Sequence, residues 1–276
     1  MRLLSRILCR RLSGLLVVSV LAFTSTCFAQ SDGQSKDQTQ EEITANPGRP
    51  TVSTPATLTP VGYFQFETGI LGSQHSGEFA NRTGLNEVIK FSVTKRLEFL
   101  AGSEPVVFSD LGATHSRDAG GVALGAQAVL VQGTERRPTL AVSYLHTVYG
   151  GTAPDLDIGS SSNSAIFLLS TDIEKWHIDT NYLFNEQVEN SIRRAQFGQT
   201  LSLAHGIKGK LGWTGELWHF TQPFQRGNAV GVLNAAEYTA TPKLVLDLGF
   251  NYGLTSTSTR WEFFTGFTYL LPKKLW

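Results

Sequence analysis

The chain has 276 residues, 17% of them charged, with 23 basic and 23 acidic side chains. Four of the basic residues (Arg2, Arg6, Arg10 and Arg11) lie in the first dozen positions, leaving 19 basic against 23 acidic residues, a net charge of −4, for the rest. A weakly acidic chain lacks the basic footprint that nucleic acids require, and its charge content lies below the ~25% usual for soluble domains.

Residues 1–29 read as a cleaved export signal. The four arginines form the charged start, Leu15 to Phe23 the short apolar core, and Cys27-Phe28-Ala29 the small-x-small cleavage site. The apolar core is shorter than the ~20 residues that a membrane helix needs. Both cysteines, Cys9 and Cys27, belong to this segment. Once it is removed, disulfides, thiolate metal sites and cysteine nucleophiles are all excluded.

Residues 30–60 are polar and then Pro/Thr-rich, with Pro47, Pro50, Pro55 and Pro60. They carry no apolar period and read as an extended periplasmic or lumenal tail.

Residues 61–276 are of a different kind. Twelve stretches alternate apolar and polar residues, at about 61–71, 85–94, 97–106, 120–132, 139–149, 163–173, 175–185, 194–205, 209–220, 228–240, 243–253 and 259–271. A period of two puts one set of side chains on each face of a strand. Phe64, Phe66 and Ile70 oppose Gln65 and Glu67; Ile89, Phe91 and Val93 oppose Lys90 and Ser92; Trp176, Ile178 and Tyr182 oppose His177, Asp179 and Asn181. Leu244, Leu246, Leu248 and Phe250 oppose Asp247 and Asn251. The fourth and sixth stretches are apolar on both faces, as expected where a tail or loop fills an interior. Pro138, Pro154, Pro223, Pro242 and Pro272 fall between or beyond strands, and Pro105 falls at the predicted end of the third.

Tight connections (Lys95-Arg96, Glu174, Thr241-Pro242) alternate with longer ones rich in Gly, Ser and Asn. Aromatic residues gather near strand ends: Phe64, Trp176 and Tyr238 toward the short turns, Tyr149, Trp218, Tyr252 and Trp261 toward the longer loops. This pattern predicts an all-β fold: a single antiparallel transmembrane β-barrel of about 12 strands with an extended N-terminal tail. A greasy exterior and a polar interior make a closed barrel the only sheet that can span a bilayer.

Little in the sequence points to catalysis. It holds no Gly-rich phosphate loop, His-Glu-x-x-His pair or nucleophile elbow. Asp155 and Asp157 resemble part of a calcium loop but lack the third donor and the distal glutamate. An outer-membrane lipid hydrolase would set histidine and serine on one strand face, yet His146 has Tyr144 and Val148 as its neighbours there. The chain is read as no enzyme, with neither metal nor cofactor. The residues predicted to line the lumen are Gln65, Glu67, Lys90, His177, Asp179, Asn181, Gln196, Glu216, Asp247, Asn251, Arg260 and Glu262. Such groups are costly in lipid and free to meet solutes in water. The same lining also suits a hydrogen-bonded plug.

Asn46-Pro47-Gly48-Arg49-Pro50, Thr54-Pro55 and Gly62-Tyr63-Phe64-Gln65-Phe66-Glu67-Thr68-Gly69 resemble the opening of proteins in the phenol-degradation MetA-pathway family. Gly120 to Gln127 is similar to that family's glycine-rich central strand, and Phe264 to Tyr269 to its last strand. The resemblance implies an outer-membrane barrel transporter with a role in uptake of aromatic compounds, and supplies no catalytic residue. One departure is the terminal Trp276, set apart from the last strand by Pro272-Lys273-Lys274. The expected function is passage of small solutes, aromatic or hydrophobic ones among them, across the bacterial outer membrane. Lipopolysaccharide, membrane lipid and the barrel-assembly machinery are the expected partners, and nucleic acid is not. The alternatives are a non-conducting structural or surface-adhesion barrel and an outer-membrane lipid hydrolase.

Overall fold

The computed structural model describes residues 42–154, 156 and 161–275. The signal, the first part of the tail, most of the Asp155–Ser160 stretch and Trp276 lie outside them. Thirteen strands follow one another: β1 (Phe64–Gln74), β2 (Asn81–Thr94), β3 (Leu97–Leu111), β4 (Thr114–Asp118), β5 (Val122–Val131), β6 (Thr139–Tyr149), β7 (Ser161–Ile173), β8 (Trp176–Glu189), β9 (Ile192–Lys208), β10 (Leu211–Thr221), β11 (Asn228–Thr241), β12 (Leu244–Gly253) and β13 (Trp261–Leu270). Sequential neighbours pair antiparallel, except that β3 pairs with β5 past β4, and β1 pairs with both β2 and β13, which closes the ring. The short β4 pairs with β3 alone, so twelve strands form the wall. Closure leaves no open edge in lipid.

Alternation sorts the wall as the sequence predicts, in the reverse sense of a soluble protein. Ile70, Ile89, Phe99, Phe167, Tyr182, Leu217, Leu248, Phe250, Phe263 and Phe267 face outward and are exposed, while Gln65, Glu67, Lys90, Glu98, Gln127 and Asn181 are buried inside. Each large apolar side chain left in water would forgo about 1.5–3 kcal/mol of burial, so such a surface belongs against hydrocarbon. Tyr149, Trp176, Tyr238 and Trp261 lie on this outer surface near strand ends. Trp218 does not. It is 1% exposed, lies over Gly231, and donates its indole N–H to Asn251 Oδ1 at 2.8 Å. Strand parity explains the correction, because Trp218 stands two residues from the inward Glu216.

The two rims differ. Five connections of two to seven residues (95–96, 132–138, 174–175, 209–210, 242–243) share one rim with both ends of the barrel. On the other rim, the stretch after the predicted third strand is not a plain loop. β3 runs on through Pro105 to Leu111 and returns as β4. Pro105 is tolerated because the β2–β3 register shifts there, at a bulge that needs no ladder N–H. β8 and β9, 14 and 17 residues long, exceed the ~9–11 residues that span a bilayer. They turn through Asn190 and Ser191, both with positive φ, as a two-residue hairpin requires. In β4 and at the β8–β9 tip most residues are exposed or half-exposed, so the apolar period that marks a spanning strand is missing from them.

Candidate functional site

The interior is occupied by the N-terminal segment. Residues 45–62 enter and leave by the short-turn rim, where Ala45 N–H donates to the Pro242 carbonyl at 2.8 Å and Gly62 N–H to the Ser92 carbonyl at 2.9 Å. Between those points the chain forms a loop, clipped at its base where Asn46 Nδ2 donates to the Thr57 carbonyl at 2.9 Å.

Buried backbone outside a helix or ladder must find other partners for its polar groups. Here the wall supplies them. Asn46 N–H donates to Gln65 Oε1 and Gly48 N–H to Glu67 Oε1. Val52 and Ser53 N–H both donate to the Glu216 carboxylate, at 2.7 and 2.6 Å, and Ser53 Oγ donates to it as well. Thr54 N–H donates to Asn181 Oδ1, whose Nδ2 donates back to the Thr54 carbonyl. Ala56 N–H donates to Ser170 Oγ, Gln127 Nε2 donates to the Pro55 carbonyl, and Thr59 N–H and hydroxyl both donate to Glu98. The prolines at 47, 50, 55 and 60 have no N–H to satisfy. A Pro/Thr-rich stretch is thus suited to burial without secondary structure.

Arg49 anchors the segment through a two-pronged ion pair. Its Nε and Nη2 reach the two oxygens of Asp247 at 3.1 and 3.0 Å. Its guanidinium rests on Gly69 and Gly266, a cross-strand pair whose missing side chains make the seat. Asp247 stands opposite Gly266 on the next strand. Beside it, Lys90 pairs with Glu67 at 2.6 Å, both buried. Around Ala56 the contact becomes apolar, with Val129, Ala141, Ile166, Leu168, Leu183, Trp218, Phe220 and Ala229 buried against it. This explains why β5 and β7 are apolar on both faces: the inner face meets the segment and the outer meets lipid.

Of the residues predicted to line the lumen, Gln65, Glu67, Asn181, Glu216 and Asp247 touch the segment directly, and Lys90 acts through Glu67. Asp179 accepts from Ser170 at 2.5 Å, and His177 lies between Asp172 and Asp179 at 2.7 and 3.3 Å near the short-turn mouth. Gln196 accepts from Asn185 and Gln187, and Asn251 donates to Glu262 at 2.5 Å. Arg260 is placed elsewhere. Its guanidinium stacks 4.3 Å from the Tyr252 ring at the outer rim, because it precedes β13 and is not held by strand parity. Glu98 and Gln127 were missed, although their parity with Leu100 and Val129 puts them on the inner face. Arg49 gave no periodic signal at all.

Above the segment, toward the longer loops, a cavity of about 220 Å³ remains. Arg49 to Val52 form its floor, and Leu71, Asn86, Leu156, Trp218, Leu233, Asn251, Glu262 and Phe264 its sides. On the outer wall, His146 Nδ1 and the Tyr144 hydroxyl share Asn163 Oδ1 at 2.9 and 2.6 Å. Asparagine is thus beside this histidine, but its same-face strand neighbours remain Tyr144 and Val148.

Comparison with protein-family models finds no match, and comparison with curated sequences finds none. Solved structures do match. The COG4313 outer membrane channel from Pseudomonas putida F1 is 15% identical over 82% of this chain and 99% of its own, with a TM-score of 0.58. The NanC porin is 11% identical over 74% of this chain and 100% of its own, with a TM-score of 0.53. At such identities the likeness is one of fold.

Proposed function

We propose that this protein is an outer-membrane channel for small solutes whose bore is set by residues 45–62. The observation that carries the reading is the means of occlusion. The lumen is filled by a tethered segment held through side-chain contacts, and a cavity continues above it to the loop rim. Eight strands leave essentially no channel and 16–18 a wide one; twelve leave room for a movable filler. In this reading the short turns face the periplasm, the longer loops and lipopolysaccharide lie outside, and the signal is cleaved after Ala29. The barrel-assembly machinery inserts the chain. The part-apolar cavity suits small solutes with hydrophobic surface, aromatic compounds among them, and the resemblance of residues 46–69 to the opening of phenol-degradation MetA-pathway proteins points the same way.

Planar-bilayer recording tests this. The full chain should show small, discrete conductance, and Arg49→Ala should raise it several-fold, since removing one member of a buried pair costs about 3–5 kcal/mol. The second reading, a barrel sealed for structural reasons, draws on the apolar packing around Ala56. Silence from both wild type and Arg49→Ala would establish it and refute the channel.

A further inference from the structure

The cations of the barrel are sorted by rim. Each of the four two-residue turns ends in one, at Arg96, Lys175, Lys210 and Lys243. The residue that follows is apolar each time and opens the next strand on its outward face: Leu97, Trp176, Leu211 and Leu244. Trp176 and Leu211 are exposed, and Leu97 and Leu244 share parity with the exposed Phe99 and Leu246. The longest connection of this rim carries Arg136 and Arg137. Lys273 and Lys274 follow β13 onto the same rim, where Leu275 N–H donates to the Gly62 carbonyl at 2.9 Å. With Lys95 and Lys208, ten cationic side chains ring this mouth, against four carboxylates (Glu42, Glu135, Asp172 and Glu174).

Among the described residues none of the ten takes part in an ion pair. Lys210 Nζ and Lys243 Nζ donate to the carbonyls of Ala240 and Pro272, at 2.7 and 3.4 Å, which holds them along the rim and leaves their charge uncancelled. The opposite rim is different. Its five arginines face five carboxylates among the described residues. Arg117, Arg194 and Arg260 lie over the rings of Phe108, Phe224 and Tyr252, and Arg193 pairs with Glu186 at 2.7 Å. An excess of charge confined to one mouth, yet present in all five of its connections, is a collar and not a one-sided patch. A soluble partner would dock from one direction, whereas a bilayer meets the barrel all round at one depth. The outward apolar residue after each turn cation marks where hydrocarbon begins. The cation before it therefore stands at headgroup level, with a long stem to carry its charge there.

We infer that this collar binds the phosphate groups of anionic phospholipids in the leaflet around the short-turn rim. Basic residues beside a membrane-spanning element attract anionic headgroups, by about fivefold in affinity for each near-surface cation. The balanced opposite rim offers no such pull. The inference needs the barrel to sit in lipid, as its exterior dictates, and does not need it to conduct.

The full chain is reconstituted into phosphatidylcholine vesicles carrying a trace of spin-labelled phosphatidylglycerol or spin-labelled phosphatidylcholine. Electron spin resonance reads the fraction of each label held at the barrel surface. Phosphatidylglycerol should be held with about threefold preference at low salt, the collar's gain averaged with an indifferent opposite rim. At about 1 M salt, where screening acts within about 3 Å, the preference should fall to near unity. Arg96→Gln, Lys175→Gln, Lys210→Gln and Lys243→Gln combined should at least halve it, with heat-dependent gel migration unchanged. Should that variant fail to fold, the combination of Arg136→Gln, Arg137→Gln, Lys273→Gln and Lys274→Gln, outside every strand, carries the same expectation. Arg117→Gln with Arg260→Gln, on the opposite rim, should leave the preference intact. Equal holding of the two lipids overturns the inference. So does a preference undiminished in the folded collar variant, or one lost with Arg117 and Arg260. Bilayer current is recorded on the same samples. Lipid preference without current upholds the collar and sinks the channel, whereas current without preference does the reverse.

Discussion

Each wall strand shares its backbone N–H and C=O groups with two neighbours in ladders, whereas residues 45–62 join no ladder and, between backbone bonds at Ala45 and Gly62, are held by wall side chains. By hydrogen bond the segment touches nine of the twelve wall strands, through Gln65, Ser92, Glu98, Gln127, Ser170, Asn181, Thr200, Glu216 and Asp247, the first of these shared with Glu67. A closed ladder breaks only by opening the ring. A set of separate side-chain contacts can be released while the ring stays shut. Wall and segment should therefore have separable stabilities, with the segment the weaker of the two.

The largest expected effect comes from Glu216, which accepts two N–H groups and one hydroxyl from the segment. Glu216→Ala strands three donors, at about 1–3 kcal/mol each. Limited proteolysis should then cut within residues 45–62 while the folded barrel band persists on a cold denaturing gel. Loss of the band together with the protection would show that the two regions are one cooperative unit. Next comes a blow to the wall alone. Leu248 is 64% exposed near the middle of β12, and Leu248→Arg should cost about 2–4 kcal/mol in refolding into lipid vesicles. Its conductance once folded should match wild type. The smallest effect sharpens the boundary between the regions. Trp218→Phe removes the indole N–H from Asn251 Oδ1, a loss of about 1 kcal/mol, visible as a modest fall in unfolding midpoint with the segment still protected from protease.

The wall was legible because its period of two reports which face meets lipid. The twelve wall strands, inward residues such as Gln65, Glu67, Asn181 and Asp247, and the outward Phe250 and Phe267 follow from that rule, whereas Arg260, just ahead of β13, does not. Position along its strand alone puts Trp218 in the outer girdle, whereas parity with Glu216 puts it inside, where it lies. β4 escaped because a ribbon in water needs no alternation: Thr114, His115, Ser116 and Arg117 pair through backbone whatever their polarity. The segment's burial was the least legible feature. Its partners lie up to 198 residues away, as between Arg49 and Asp247, and its prolines read the same whether a chain is solvated or packed among acceptors. The one local hint was the doubled apolar faces of β5 and β7.

Because Ala45 and Gly62 both sit at the short-turn rim, the segment between them is not passed through the ring from one side to the other. A cylinder can therefore zip shut in the bilayer first and receive its cork afterwards. The same topology lets the cork slide out the way it came, on a leash, with no seam in the cylinder having to part.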